Sequence, residues 1–360
     1  MAHQDQSIRR DTRIFYIRWI VGLLLLLLLP STTHCFSFDT FFTNSGGKAS
    51  SLPSQRVPLD PTFERPDVDT IQEDVLCIDT AKRMERVLVP VPSSIHPSGK
   101  VGISYVNWPA ESETGIPNPF QKTKNPVIVL LHGFDSSALE FRRLGSRLAG
   151  SGWDTTAVDL LGWGYTQTDG VLDFSAEAKI TAVSSFVDTV IDGPFVIAGA
   201  SLGGAAAIAT AVQHPQCQGL ILLDAQGFVD GIDPAAAALP QPLMRFGVGI
   251  LQSWPLRSAA NQMSYFDKKQ YATDEAVVIG RLHCVREGWN EAMVNFMQSG
   301  GFKPVELVPQ VKVPTLVVWG RQDGILDGEE FANKFVETIP EARLEWVEEC
   351  GHVPHLEQPE

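Results

Sequence analysis

Cysteine is scarce in this 360-residue chain. Its five residues, Cys35, Cys77, Cys217, Cys284 and Cys350, are odd in number and far apart. No C-x-x-C pair occurs, which removes the spacing of a zinc ribbon, a thioredoxin-type redox pair and a dense disulfide framework. The four left if Cys35 departs with a presequence read as mostly reduced, half-buried thiols. Basic residues are also few: 28 face 42 acidic ones, for a net charge of −14 and a pI near 5.0. Nucleic acid and anionic membranes require a basic face that displaces counterions, so neither is expected as the main partner. The glycine-rich nucleotide strings G-x-G-x-x-G and G-x-x-x-x-G-K-[ST] are absent, and no cofactor is expected. What is plentiful is core material. With 44% hydrophobic and 19% charged residues, wholesale disorder is excluded.

The N-terminal stretch has a different composition from the rest. Arg9, Arg10, Arg13 and Arg18 precede an apolar run from Trp19 to Leu29 that includes seven consecutive leucines and stops at Pro30. It is shorter than the roughly 18 residues of a spanning helix, so residues 1–35 are expected to be a signal peptide cleaved near Thr33-His34-Cys35, with a retained anchor as the alternative. Phe36-Ser37-Phe38 then opens a Ser-, Thr- and Gly-rich segment with Lys48 and Arg56, a transit-like composition. Pro53, Pro58, Pro61 and Pro66 mark a linker, so residues 36–70 are expected to be disordered. A signal peptide followed by a Phe-led transit segment resembles the two-part presequence of algae with secondarily acquired plastids. It implies a plastid reached through the ER, against secretion or an ER-lumen location. Once the signal is removed, no second apolar segment is long enough to span a membrane.

Beyond residue 70, short apolar runs alternate with helical patterns. Strands are expected at Met84–Val91, Val101–Trp108, Pro126–Leu131, Trp153–Leu160, Phe195–Ala198, Leu220–Leu223, Pro314–Trp319 and Ala342–Val347. Helices are expected from a capping box at Ser137-x-x-Glu140 to Gly150, over Ser175–Ile191 and Gly203–Gln213, and near Glu329–Ile339. The order implies an α/β fold, a mostly parallel sheet with helices on both faces, split into core segments 71–229 and 310–360. Residues 230–309, inserted after the sixth strand, are expected to form a helical cap.

In such a sheet the chemistry lies at the carboxyl ends of the strands. Gly199-Ala200-Ser201-Leu202-Gly203 ends one strand and opens a helix, a turn that lifts a serine hydroxyl above the sheet. That hydroxyl needs a base and a carboxylate to orient the base. Asp323 follows a buried strand and His352 follows the last one, giving the order Ser201, Asp323, His352. Asp224 and His355 are the rival acid and base; His352 and His355 alone make a poor metal pair, and no metal is expected. The backbone N–H groups of Leu202 and Phe134 are the expected oxyanion donors, with His132 and Gly133 shaping the turn. Asp135 and His283 are weaker candidates for substrate contact, against a backbone-satisfied loop carboxylate and a cap-stabilising pair.

His132-Gly133-Phe134, Asp159-Leu160-Leu161-Gly162-Trp163-Gly164, the Ser201 turn, Asp323 and Gly351-His352 together resemble the α/β-hydrolase fold family from about residue 85 onward. The stretches 132–137, 280–284 and 296–301 are similar to a plastid-directed plant group within it. Serine at 201 departs from the epoxide hydrolase and dehalogenase branches, which place Asp there. Family members usually continue past the histidine into a further helix, whereas this chain stops at Glu360, so a missing final helix is expected. The resemblance implies a serine hydrolase acting on an ester, thioester or related acyl bond of a small, partly apolar substrate. A C–C hydrolase, an acyltransferase and a non-catalytic ligand-binding protein are the alternatives. Within the cap, Leu239, Leu243, Met244, Phe246, Val248, Ile250, Leu251 and Trp254 are expected to pack between cap and body or to line the acyl pocket. Oligomeric state is not legible.

Overall fold

The computed structural model describes residues 58–110, 125–191 and 193–360. The signal peptide and nearly all of the transit-like segment lie outside the described residues. Strands β1 (Glu85–Pro90), β2 (Lys100–Trp108), β3 (Val127–Leu131), β4 (Thr155–Val158), β5 (Phe195–Ala200), β6 (Cys217–Leu223), β7 (Thr315–Gly320) and β8 (Ala342–Val347) form one sheet in the order β1-β2-β4-β3-β5-β6-β7-β8. The β1–β2 and β2–β4 pairs are antiparallel and every other pair is parallel. All residues of β3 and β5 are buried, because their continuous apolar runs feed a separate core on each face of the sheet. The strand order reverses direction around β3 and β5, which puts a crevice at their carboxyl ends.

Helices α1 (Val75–Arg83), α2 (Leu144–Gly150), α3 (Ala176–Phe186) and α4 (Leu202–Gln213) belong to the body. The segment after β6 is helical: α5 (Pro234–Ala237), α6 (Gln241–Leu251), α7 (Trp254–Ser264), α8 (Lys268–Tyr271), α9 (Asp274–Arg281) and α10 (Trp289–Gln298). Then come α11 (Gly328–Thr338) and α12 (Pro354–Glu357). No helix of the described residues is long and apolar enough to cross a membrane.

Four local expectations are corrected. Ser137 makes no capping hydrogen bond; a short 3₁₀ turn, Ala138–Phe141, precedes α2, and Glu140 turns inward toward His355. The helix expected over 175–191 starts at its Ser175 cap but ends at Phe186, followed by a π turn at Val187–Ile191. Residues 58–70 are not a free linker. Leu59 bridges Val87, and buried Asp60 accepts a hydrogen bond from Arg86 Nε at 2.7 Å, so the chain is fixed to the sheet edge before residue 70. In the cap, Met244 and Val248 are buried, but Leu239, Leu243, Phe246, Ile250 and Trp254 face outward, with Phe246 69% exposed. Their spacing puts one apolar stripe on each side of α6, and only the stripe of Met244 and Val248 is buried, in a helix whose neighbours are the cap helices α10 and α7.

Candidate active site

Ser201 sits between β5 and α4 with φ 50° and ψ −120°, a region an L-residue occupies only under strain. Two glycines permit the turn. A Cβ on Gly199 would lie 2.2 Å from the Gly203 carbonyl oxygen, and one on Gly203 would lie 2.3 Å from that of Leu131. Strand, helix and the β3 loop therefore approach at backbone distance. Ser201 N–H donates to Leu223 O at 2.9 Å, which fixes the turn to β6. The N–H of Leu202 opens α4, where helix geometry supplies no internal acceptor.

The structure brings Ser201, His352 and Asp323 together. Asp323 Oδ1 accepts the N–H groups of Ile325 (2.7 Å) and Leu326 (3.0 Å), which aims Oδ2 at His352. His352 Nδ1 lies 2.8 Å from that oxygen, and its Nε2 lies 2.9 Å from Ser201 Oγ. A carboxylate only accepts, so the imidazole proton belongs on Nδ1 and Nε2 is left bare toward the hydroxyl. The His352 loop is held on two sides. Its N–H donates to Ser264 O at 2.7 Å. Buried Glu357 accepts from the N–H groups of Gly351 (2.7 Å), Phe266 (3.1 Å) and Asp267 (2.6 Å).

The rivals lie elsewhere in the network. Asp224 is fully buried with φ 42°, and its Oδ1 accepts the Gly320 N–H at 3.0 Å. Burial, then the neighbouring Asp323 charge, raise its carboxyl well above the usual range. Asp323 already accepts three donors, so the proton of the pair belongs on Asp224. His355 lies on α12, with Nε2 2.8 Å from Glu140 Oε1 and its ring against Phe141. Burial opposes ionisation of Glu140, but His355 outweighs it and holds the carboxyl at about 2.

Phe134 and Asp135 follow β3. His132 accepts the Leu160 N–H on Nε2 at 3.0 Å, so its Nδ1–H donates to Gly133 O at 2.8 Å; burial keeps this imidazole neutral. Asp159 supports the same turn from below, accepting from Ser104 Oγ and from the N–H groups of Ala138 (2.6 Å) and Tyr165 (2.8 Å). This gives the Asp159 motif residue a structural role.

Asp135 differs from its expected backbone-satisfied state. Its φ is 50°, and its carboxylate receives three side chains of the cap region: Arg257 Nη2, His283 Nε2 at 3.0 Å and Trp289 Nε1 at 2.8 Å. Burial opposes its ionisation, but the Arg257 charge and these hydrogen bonds hold it well below the carboxylate range. Burial likewise opposes protonation of His283, which Cys284 and Asp135 overcome, raising it to about 9. The cap-stabilising reading of His283 therefore fits, although Asp135, His283 and Arg257 also line the cavity. Sequence reasoning missed Arg257, whose position in a cap helix gave no signal.

Among the described residues, two groupings have metal-ligand chemistry, Asp135 with His283 and Cys284, and Asp224 with Asp323 and His352. In the first, Arg257 contacts both the carboxylate and Cys284 Sγ (2.9 Å) and occupies the cation's place. In the second, both His352 nitrogens are engaged. Neither arrangement fits a metal.

A cavity of about 240 Å³ opens over Ser201 and His352 between body and cap. Leu251, Leu256, Ala260, Val277, Ile279 and Ile325 give it an apolar wall, as a pocket for a partly apolar ligand requires.

Residues 128–360 match the alpha/beta hydrolase family. The chain belongs to that family. It is 34% identical over 237 residues to the alpha/beta hydrolase domain-containing protein VTE7 of Arabidopsis thaliana, covering 66% of this chain and 71% of the relative. Lipase 1 of Psychrobacter immobilis is 27% identical, over 64% and 72% of the two chains. A 2-hydroxy-6-oxononadienedioate/2-hydroxy-6-oxononatrienedioate hydrolase of Burkholderia vietnamiensis is 26% identical, over 66% and 84%. The fold is similar to a thermophilic esterase from Thermogutta terrifontis, with a TM-score of 0.59, 20% identity and coverage of 76% and 93%. This α/β-hydrolase is thus related in sequence to a lipase and to a 2-hydroxy-6-oxononadienedioate hydrolase, and it shares its fold with an esterase.

Proposed function

We propose that this family member is a serine hydrolase that cleaves an ester, thioester or related acyl bond of a small, partly apolar substrate. The observation that carries the reading is the unbroken chain from Asp323 through His352 to Ser201 Oγ. As Oγ bonds to the acyl carbon, its proton passes to His352 Nε2, and the imidazolium is held by Asp323. The N–H groups of Phe134 and Leu202 take the oxyanion. When the C–O or C–S bond breaks, His352 returns the proton to the leaving group and an acyl-Ser201 remains. Water, deprotonated by His352, then releases the acid and restores the serine. The apolar wall of the cavity supports a partly apolar acyl group. C–C bond hydrolysis uses the same residues, and the Burkholderia relative's name favours it as the second reading.

Labelling with a fluorophosphonate tests the reading. The native protein is expected to be labelled, and Ser201→Ala to be neither labelled nor active on acyl esters. Undiminished labelling of Ser201→Ala overturns the assignment of the nucleophile. The site of action we infer from the presequence is a plastid reached through the ER. A fusion of residues 1–70 to a fluorescent protein should reach the plastid of a suitable alga; fluorescence in the ER or the medium overturns this.

A further inference from the structure

One buried polar atom of a residue lining the cavity has no partner among the described residues. Asn261 lies on α7 and lines the cavity with Ser201 and His352, and its Nδ2 is buried without a hydrogen bond among the described residues. A buried amide donor left unpaired is unfavourable by more than a typical hydrogen bond contributes, so an orphan of this kind calls for an explanation. Packing gives none, because a leucine of similar size fills the same space without the penalty.

The helix that carries the amide is tied at one end to the loop after β3 and at the other to the catalytic histidine. Residues 257, 260, 261 and 264 follow helical spacing and all line the cavity. At one end Arg257 is bound to the Asp135 carboxylate and, at 3.2 Å, to its carbonyl, next to the oxyanion loop. At the other, Ser264 O holds the His352 N–H. Asn261 lies between these anchors, so its amide keeps a fixed position relative to nucleophile and base.

We propose that Asn261 selects the substrate, its Nδ2 donating to an uncharged acceptor oxygen, carbonyl or ether, at a point on the acyl chain other than the scissile carbonyl. The inference rests on the hydrolase reading of Ser201. An uncharged acceptor fits better than a carboxylate, because Arg257, the nearest cation on the same helix, is already committed to Asp135, Leu251 and Cys284. When substrate leaves, the amide is again without a protein partner, which discriminates against acyl chains lacking the oxygen.

The test compares p-nitrophenyl esters of pentanoic, hexanoic and heptanoic acids with their 4-oxo, 5-oxo and 6-oxo counterparts, for the native enzyme and Asn261→Leu. At one of the three chain lengths, native kcat/KM should favour the oxo ester by about tenfold or more, and in Asn261→Leu that ratio should collapse to about one. Thermal unfolding should show Asn261→Leu no less stable than native, since no hydrogen bond is lost. A native ratio near one at every length, or a ratio that survives in Asn261→Leu, overturns the inference. Fluorophosphonate labelling of both proteins separates the two layers. Labelling without oxo preference overturns only the role of Asn261, whereas absence of both labelling and ester turnover overturns the hydrolase reading and the inference with it.

Discussion

The backbone N–H of His352 donates to the carbonyl of Ser264 at 2.7 Å, so the imidazole hangs from the last turn of a cap helix. Glu357 completes the support through three backbone N–H groups. Glu357→Gln presents an amide with one acceptor oxygen to donors that need two. We expect kcat to fall about tenfold or more with a smaller change in KM, together with a lower melting temperature. Steady-state kinetics and calorimetry check both.

Asp323→Asn and His352→Gln should each lower kcat by about a thousandfold or more, the first because it loses the acceptor that fixes the tautomer leaving Nε2 bare, the second because it removes the base itself. Asp224→Asn and His355→Gln should lower it far less. A protonated Asp224 carries no charge, so replacing it by an amide leaves the acid limb of the pH–rate profile in place. A displaced limb in Asp224→Asn would mean that Asp224 is ionised.

Asp135→Asn should loosen the cap by removing the charge that Arg257 and His283 share. Since His283 is raised from 6.5 to about 9 in the fold, its contribution to stability is fully present below about pH 6.5 and lost as pH rises through 9. Denaturant unfolding across that window should show the native protein losing more stability than Asp135→Asn, in which only the Cys284 contribution to His283 remains.

Lys179 gives the opposite slope. Its ammonium is fully buried, donates to Leu161 O and stands 3.9 Å from the Trp163 ring centroid. Burial lowers it to about 7, only partly offset by Asp135. Between pH 7 and 10.5 the unfolded chain holds the proton and the folded one does not, so this group makes stability rise with pH. Lys179→Met should therefore stabilise the protein most below pH 7, with the gain shrinking toward pH 10.

The central strands β3, β5, β6 and β7 were legible because strands buried on both faces are continuous apolar runs, β8 reads as an alternating one, and the strand ends led directly to Ser201, Asp323 and His352. Choosing Asp323 over Asp224 rested on chain position alone. What separates them physically, the N–H groups of Ile325 and Leu326 on one carboxylate and burial on the other, exists only after folding. The Ser137-x-x-Glu140 pattern misled for a similar reason. It satisfies the capping rule locally, but His355, 215 positions away, offers Glu140 a stronger partner than a helix terminus. The apolar stretch at 239–254 predicts packing between cap and body or a pocket lining, and only the fold reveals that Met244 and Val248 are buried while Leu243, Phe246 and Ile250 are exposed. Arg257 and Asn261 were illegible because helical periodicity identifies a face without saying which polar side chain on it meets another element.

Asp135 joins the oxyanion turn to Arg257, His283 and Trp289, which lie on or beside three separate helices. Lifting that region as a rigid flap would strand a buried carboxylate and two cations at once, an outcome far less favourable than separating apolar surfaces. Traffic through the site is therefore a matter of small excursions by the side chains that line the cavity. Residence times should follow the girth of the ligand more than its affinity for the cap.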